Sequence, residues 1–125
     1  KEGSVRAFLN FGHTFAHAFE VLEQYQLTHG LAVSIGMAVA ARLARVCGIC
    51  TKETEDRIIS TLERNDLPVR YRGHAAEAVY RAMWHDKKRR GDRLRLILPR
   101  AIDDVVIVDN IGEEEVVAAI DRSQE

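Results

Sequence analysis

A mainly α-helical domain with one short β-hairpin near residues 93–108 is the fold class this sequence predicts, and three observations predict it. Apolar residues recur at helical spacing in several separate segments. Capping and chain-breaking residues stand between those segments. Only the stretch after residue 93 alternates with a period of two, as Leu94, Leu96 and Leu98.

Taken in order, Ser4 can cap a helix running to about Tyr25, bent or interrupted at Gly12, because glycine in a helix interior costs about 1 kcal/mol relative to alanine. A second helix is expected from about Gly30 to Val46, with Leu31, Ile35, Val39 and Leu43 as its apolar stripe and Gly48 as its stop. Thr51 caps a third to about Asn65, with Ile58, Ile59 and Leu62 on its buried face, and Asp66-Leu67-Pro68 ends it. A fourth covers about Ala75 to Trp84. Val105 to Val108 offers Leu94-Leu98 a partner strand, and Glu113 to Ile120 closes the domain as a helix.

The 125 residues suffice for one core, and 46% hydrophobic with 30% charged residues is ordinary globular composition. A net charge of -1 makes no case for nucleic acid or an anionic membrane. Arg42 and Arg45 interrupt the longest apolar segment, so no membrane-spanning run is expected. Cys47-Gly48-Ile49-Cys50 has redox-motif spacing, but no strand precedes it and no second pair completes a zinc site. Both cysteines are read as structural, in a reduced, cytoplasmic setting. The charged start without Met suggests that an N-terminal region is missing.

His13 and His17 stand four apart, on one helical face, and His29-Gly30 follows just ahead of the long apolar segment. Neutral imidazole is the commonest zinc ligand, and a catalytic zinc takes three protein ligands. The spacing alone also fits two packed, hydrogen-bonded histidines, since HxxxH is a short pattern that recurs by chance. Asp86-Lys87-Lys88-Arg89-Arg90-Gly91 can neutralise a phosphate or be a solvated surface loop.

A longer string weighs on both choices. Arg6-x-x-Leu9-Asn10-x-Gly12-His13-Thr14-x-x-His17-Ala18-x-Glu20, then His29-Gly30-x-Ala32-Val33 and Gly36-Met37, resembles the C-terminal domain of 3-dehydroquinate synthase. Asp86-Lys87-Lys88, Gly91, Leu94-x-Leu96-x-Leu98-Pro99 and Ala101-Ile102 resemble that family's distal signature, in the same order. The resemblance implies conversion of 3-deoxy-D-arabino-heptulosonate 7-phosphate to 3-dehydroquinate with loss of phosphate, on the shikimate route to aromatic amino acids. It further implies NAD and a divalent metal, zinc or cobalt. By this resemblance His13 and His29 are metal ligands, and His17 contacts substrate phosphate and handles protons. Arg6 pairs the substrate carboxylate, Asn10 contacts phosphate, and Lys87 rather than Lys88 contacts substrate.

The same resemblance places the NAD site and the third metal ligand, a glutamate, in a preceding domain, and implies a homodimer when intact. Residues 1–125 are then a single metal- and substrate-binding domain that is catalytically silent alone. Two positions depart from the family's pattern. Ala16 stands where Gly is common, and Leu31 where Glu is common after His-Gly; loss of that carboxylate is expected to disturb orientation at the metal site. The alternatives are another sugar phosphate cyclase, of the 2-deoxy-scyllo-inosose synthase kind, a glycerol dehydrogenase-like metal enzyme, and a helical interaction module with structural histidines.

Overall fold

The computed structural model describes residues 11–24, 26–85 and 93–125. In these, helices α1 (His13–Leu22), α2 (His29–Val46), α3 (Lys52–Arg64) and α4 (Ala76–Met83) precede strands β1 (Leu96–Ala101) and β2 (Asp104–Val108), and α5 (Glu113–Asp121) follows. The mainly α class and the hairpin are as the sequence predicts. Ser4 lies outside the described residues. Gly12 is where α1 starts: it is the N-cap residue, with φ of 86°, a left-handed conformation that glycine adopts without strain.

The helix ends follow from local chemistry. Gly48 (φ 75°) ends α2: its N–H donates to the Arg45 carbonyl and the Ile49 N–H to the Ala44 carbonyl at 2.8 Å, the paired bonds of a Schellman motif. Asp66 (φ 60°) ends α3 by the same pairing, from Asp66 N–H to Glu63 and from Leu67 N–H to Leu62. Thr51 caps α3 as expected, its hydroxyl accepting from the Thr54 N–H at 3.1 Å. Thr28 caps α2 in the same manner, accepting from the Leu31 N–H.

Helix α2 is the centre of the domain. Eleven of its residues are buried, six of them alanine or glycine, so neighbours approach it from several sides. Phe15 and Phe19 pack on it from α1 and Phe11 from just before that helix, Val79 and Met83 belong to the same core from α4, Leu96 and Leu98 from β1, and Val116 and Ile120 from α5. The length and composition of α2 suffice to cross a membrane, but its faces are those of a core helix. One residue of the expected stripe is not core: Leu31 is 36% exposed, because it sits in the first turn of α2, at the helix end.

Helices α1 and α2 form an antiparallel pair whose closest approach is glycine against backbone. A Cβ on Gly36 would lie 2.4 Å from the Gly12 carbonyl oxygen and 2.8 Å from the Ala16 nitrogen, so only glycine fits there. Ala16 itself is buried in this contact, tolerated because Gly36 faces it.

Arg42 is a charged residue in the core. Its Nη1 donates to the Val69 carbonyl at 2.8 Å and to Ser123 Oγ at 2.7 Å, and Ser123 Oγ donates onward to the Ala119 carbonyl. The chain around Tyr71 pairs with Ser123 and Glu125 through backbone bonds of 3.0 and 2.8 Å. The guanidinium therefore ties α2, the segment before α4 and the chain after α5 into one body. In β1 and β2, Leu96 pairs with Val108 and Leu98 with Val106, with a shift between Pro99 and Ala101 near the turn.

Candidate metal and substrate site

The N-terminus of α1 begins at Gly12, so His13 is the first residue of the helix, and His17 and Glu20 follow at the fourth and seventh positions after it. Those intervals repeat one face of a helix, and all three side chains line one open cleft of about 330 Å³. His29, the first residue of α2, enters the same cleft with Thr14 and Met83. The antiparallel return of α2 is what delivers it.

The imidazoles of His13 and His29 stand edge to face, with ring centroids 5.8 Å apart. Two imidazoles on one tetrahedral zinc, with Zn–N of about 2.0–2.1 Å, have centroids about 5 Å apart, a separation close to the one found here. The donor set fits a divalent metal and falls short of three ligands. Among the described residues no cluster of three or more His, Cys, Asp or Glu side chains has the arrangement to hold a metal.

Glu20 stands in the family-like string of the sequence, where it carries no assigned role. Its Oε2 accepts from His29 Nδ1 at 2.9 Å, and its side chain is 15% exposed against 65% for His29. The available signal was its seven-residue spacing from His13. The expected loss of a carboxylate through Leu31 takes a different form here, because Leu31 is not among the residues lining the cleft.

His17 is exposed on the cleft, with the ring of His85 6.2 Å away. Thr14 Oγ1 donates to the Arg95 carbonyl at 3.2 Å. His85 and Arg95 thus stand beside α1 on either side of the basic segment in sequence. Lys87 and Lys88, like Arg6 and Asn10, lie outside the described residues.

Other recesses suit an anionic sugar less. A larger groove of about 620 Å³ between α4 and α5 is lined by Glu77, Glu113, Glu114 and Asp121, whose charge repels phosphate. The Cys47 and Cys50 thiols are free, and burial pushes both up from the ordinary thiol range, Glu115 adding to the shift at Cys47 and Glu55 at Cys50. Raised thiols are poor nucleophiles, in keeping with a structural reading of the pair.

The α-helical fold with its short hairpin has counterparts among solved structures. The fold matches 2-epi-5-epi-valiolone synthase from Streptomyces hygroscopicus, solved with NAD+ and Zn2+, at a TM-score of 0.78 and 31% identity, over 89% of this chain and 31% of that one. It also matches 2-deoxy-scyllo-inosose synthase, solved with carbaglucose-6-phosphate, NAD+ and Co2+, at a TM-score of 0.72 and 23% identity, over 91% of this chain and 34% of that one.

The chain belongs to the 3-dehydroquinate synthase C-terminal family, whose profile matches residues 1–89. It is 38% identical to 3-dehydroquinate synthase of Acetivibrio thermocellus over 96% of this chain and 33% of that protein. It is 45% identical to the Syntrophotalea carbinolica 3-dehydroquinate synthase over 86% of this chain and 30% of that protein. The chain spans about a third of the length of the curated relatives it matches.

Proposed function

We propose that this chain is the metal- and substrate-binding part of a 3-dehydroquinate synthase. The reaction converts 3-deoxy-D-arabino-heptulosonate 7-phosphate to 3-dehydroquinate and phosphate, with NAD and zinc or cobalt as cofactors. The observation that carries the reading is the convergence of His13 and His29, from two helices, in the cleft that also holds His17. Identities of 38–45% to proteins of that name support this substrate over the valiolone and inosose substrates of the structural neighbours, at 31% and 23%.

His13 and His29 hold the metal from one side, and a glutamate of a preceding domain completes the set. The chemistry a metal supplies there is Lewis-acid polarisation of substrate oxygens. His17, exposed beside them, holds or passes a proton at a ring nitrogen toward the departing phosphate. Arg6, shortly before α1, offers two parallel hydrogen bonds to the substrate carboxylate, and Asn10 offers an amide to phosphate. Lys87 adds a cation; support for its place is that flanking residues His85 and Arg95 stand beside His17 and Thr14.

With His13 and His29 as two of three metal ligands and the NAD site assigned to a preceding domain, the 125-residue chain is inactive alone, and the intact enzyme is a cytoplasmic homodimer. The deciding experiment is phosphate release by the full-length protein with NAD, zinc and 3-deoxy-D-arabino-heptulosonate 7-phosphate, comparing wild type with His13→Ala and Arg6→Ala. Release that both substitutions abolish supports the reading. A folded, metal-loaded wild type that releases none, yet turns over another sugar phosphate, replaces the substrate assignment. Turnover by the 125-residue chain alone refutes its predicted silence.

A further inference from the structure

We propose that Glu20 is a positioning residue for the metal site: its carboxylate fixes the ring of His29 so that Nε2 is the nitrogen offered to the ion. The proposal rests on the reading of His29 as a ligand.

The geometry carries the assignment. Glu20 Oε2 lies 2.9 Å from His29 Nδ1. An ionised carboxylate only accepts hydrogen bonds, so Nδ1 carries the hydrogen and the lone pair is left at Nε2. A histidine ligand needs both a defined tautomer and a defined ring orientation, and a hydrogen bond at the second nitrogen supplies both. Glu20 is well placed to hold its own position, since it stands on α1 directly after buried Ala18 and Phe19 and its side chain is mostly covered. His29 lacks such support: its side chain is 65% exposed, and it begins a helix at the end of a turn. Without the carboxylate, the ring is free to turn about two side-chain bonds.

A purely structural pair is the competing account. An exposed hydrogen-bonded pair of this kind contributes only about 0–1 kcal/mol to stability. The Thr28 cap and the Gly12–Gly36 contact already fix where α2 begins and how it crosses α1. Glu20 therefore contributes little to holding the hairpin together and much to the direction of one imidazole.

The test uses the full-length protein, stripped of metal and titrated with Zn2+ against a competing chelator, and with Co2+ followed by its visible absorption. Glu20→Ala is expected to weaken metal about 10- to 100-fold and to alter the Co2+ band, with the metal-free melting temperature unchanged. Glu20→Gln should recover most of the affinity, because an amide oxygen still accepts from Nδ1. Glu20→Asp, one methylene short, should behave like Ala. Metal affinity of Glu20→Ala within about twofold of wild type, while His29→Ala loses the metal, overturns the positioning role and leaves the ligand assignment standing. Wild-type affinity in His29→Ala overturns the ligand assignment and the positioning role with it.

Discussion

Gly36 lies against Gly12 so closely that a side chain on Gly36 would fall 2.4 Å from the Gly12 carbonyl oxygen. With the neighbouring Ala16 contact, this approach limits the separation of α1 and α2, the two helices that carry His13 and His29. Gly36→Ala should gain helix propensity of about 1 kcal/mol and lose more, since backbone cannot yield as a flexible side chain can. The expected net effect is about 1–3 kcal/mol of destabilisation by urea titration. Metal affinity should fall in the fraction that stays folded. A midpoint equal to or above wild type would show that the helices separate without strain.

Leu31 occupies the third position of α2, three residues after the capping Thr28, where a glutamate would complete a reciprocal capping box. A glutamate at this position is therefore expected to act in helix initiation rather than in chemistry at the metal. Leu31→Glu should stabilise the chain by about 0.3–1 kcal/mol, through the Thr28 N–H and the positive end of the helix. Calorimetry on the variant checks the stability. Steady-state phosphate release from competing sugar phosphates checks the other half, and a change in substrate preference would sink the capping explanation.

Arg42 bonds Val69 and Ser123 from the middle of the core. Burial, with Arg70 nearby, pushes its guanidinium down from the ordinary arginine range to about 10. The folded state therefore holds that proton less tightly than the unfolded chain. Burying the charge costs stability below about pH 10, and the cost shrinks as pH rises from there towards the ordinary arginine range. Removing the side chain is nonetheless expected to be the larger loss, because the Val69 carbonyl is left unmet. Arg42→Ala should cost about 2–4 kcal/mol in chemical denaturation at pH 7. A loss under half of that would show that water or a neighbour replaces the donor.

Cys47 is exposed, yet burial of part of its environment and the charge of Glu115 raise its thiol above the ordinary range. At pH 8 it should react with iodoacetamide more slowly than a free cysteine, and the rate should climb with pH as thiolate forms. Cys50, buried, should label only after unfolding. Rapid labelling of Cys47 at pH 7 would point to an activated thiol and reopen a redox reading.

Much of this architecture was legible in the sequence because local chemistry decides it. Thr51 and Gly48 begin and end helices through bonds that reach only three to five residues. The stripe Ile35, Val39 and Leu43 is core for the same reason, helical spacing. Leu31 broke the stripe because burial depends on where the neighbouring helix ends. Arg42 looked like an interruption of an apolar run; its partners lie 27 and 81 residues away and leave no local trace. The meeting of Glu20 with His29 likewise depends on the turn between α1 and α2, which no periodicity reports.

The hairpin of α1 and α2 has a consequence for how such a site works. Both imidazoles ride on one stretch of chain seventeen residues long, from His13 to His29, locked by a glycine crossing. Their backbone placement is thus set by the packing of two consecutive helices. In the proposed site the remaining groups approach this pair from outside, with the hairpin as the fixed jaw and what it meets as the other.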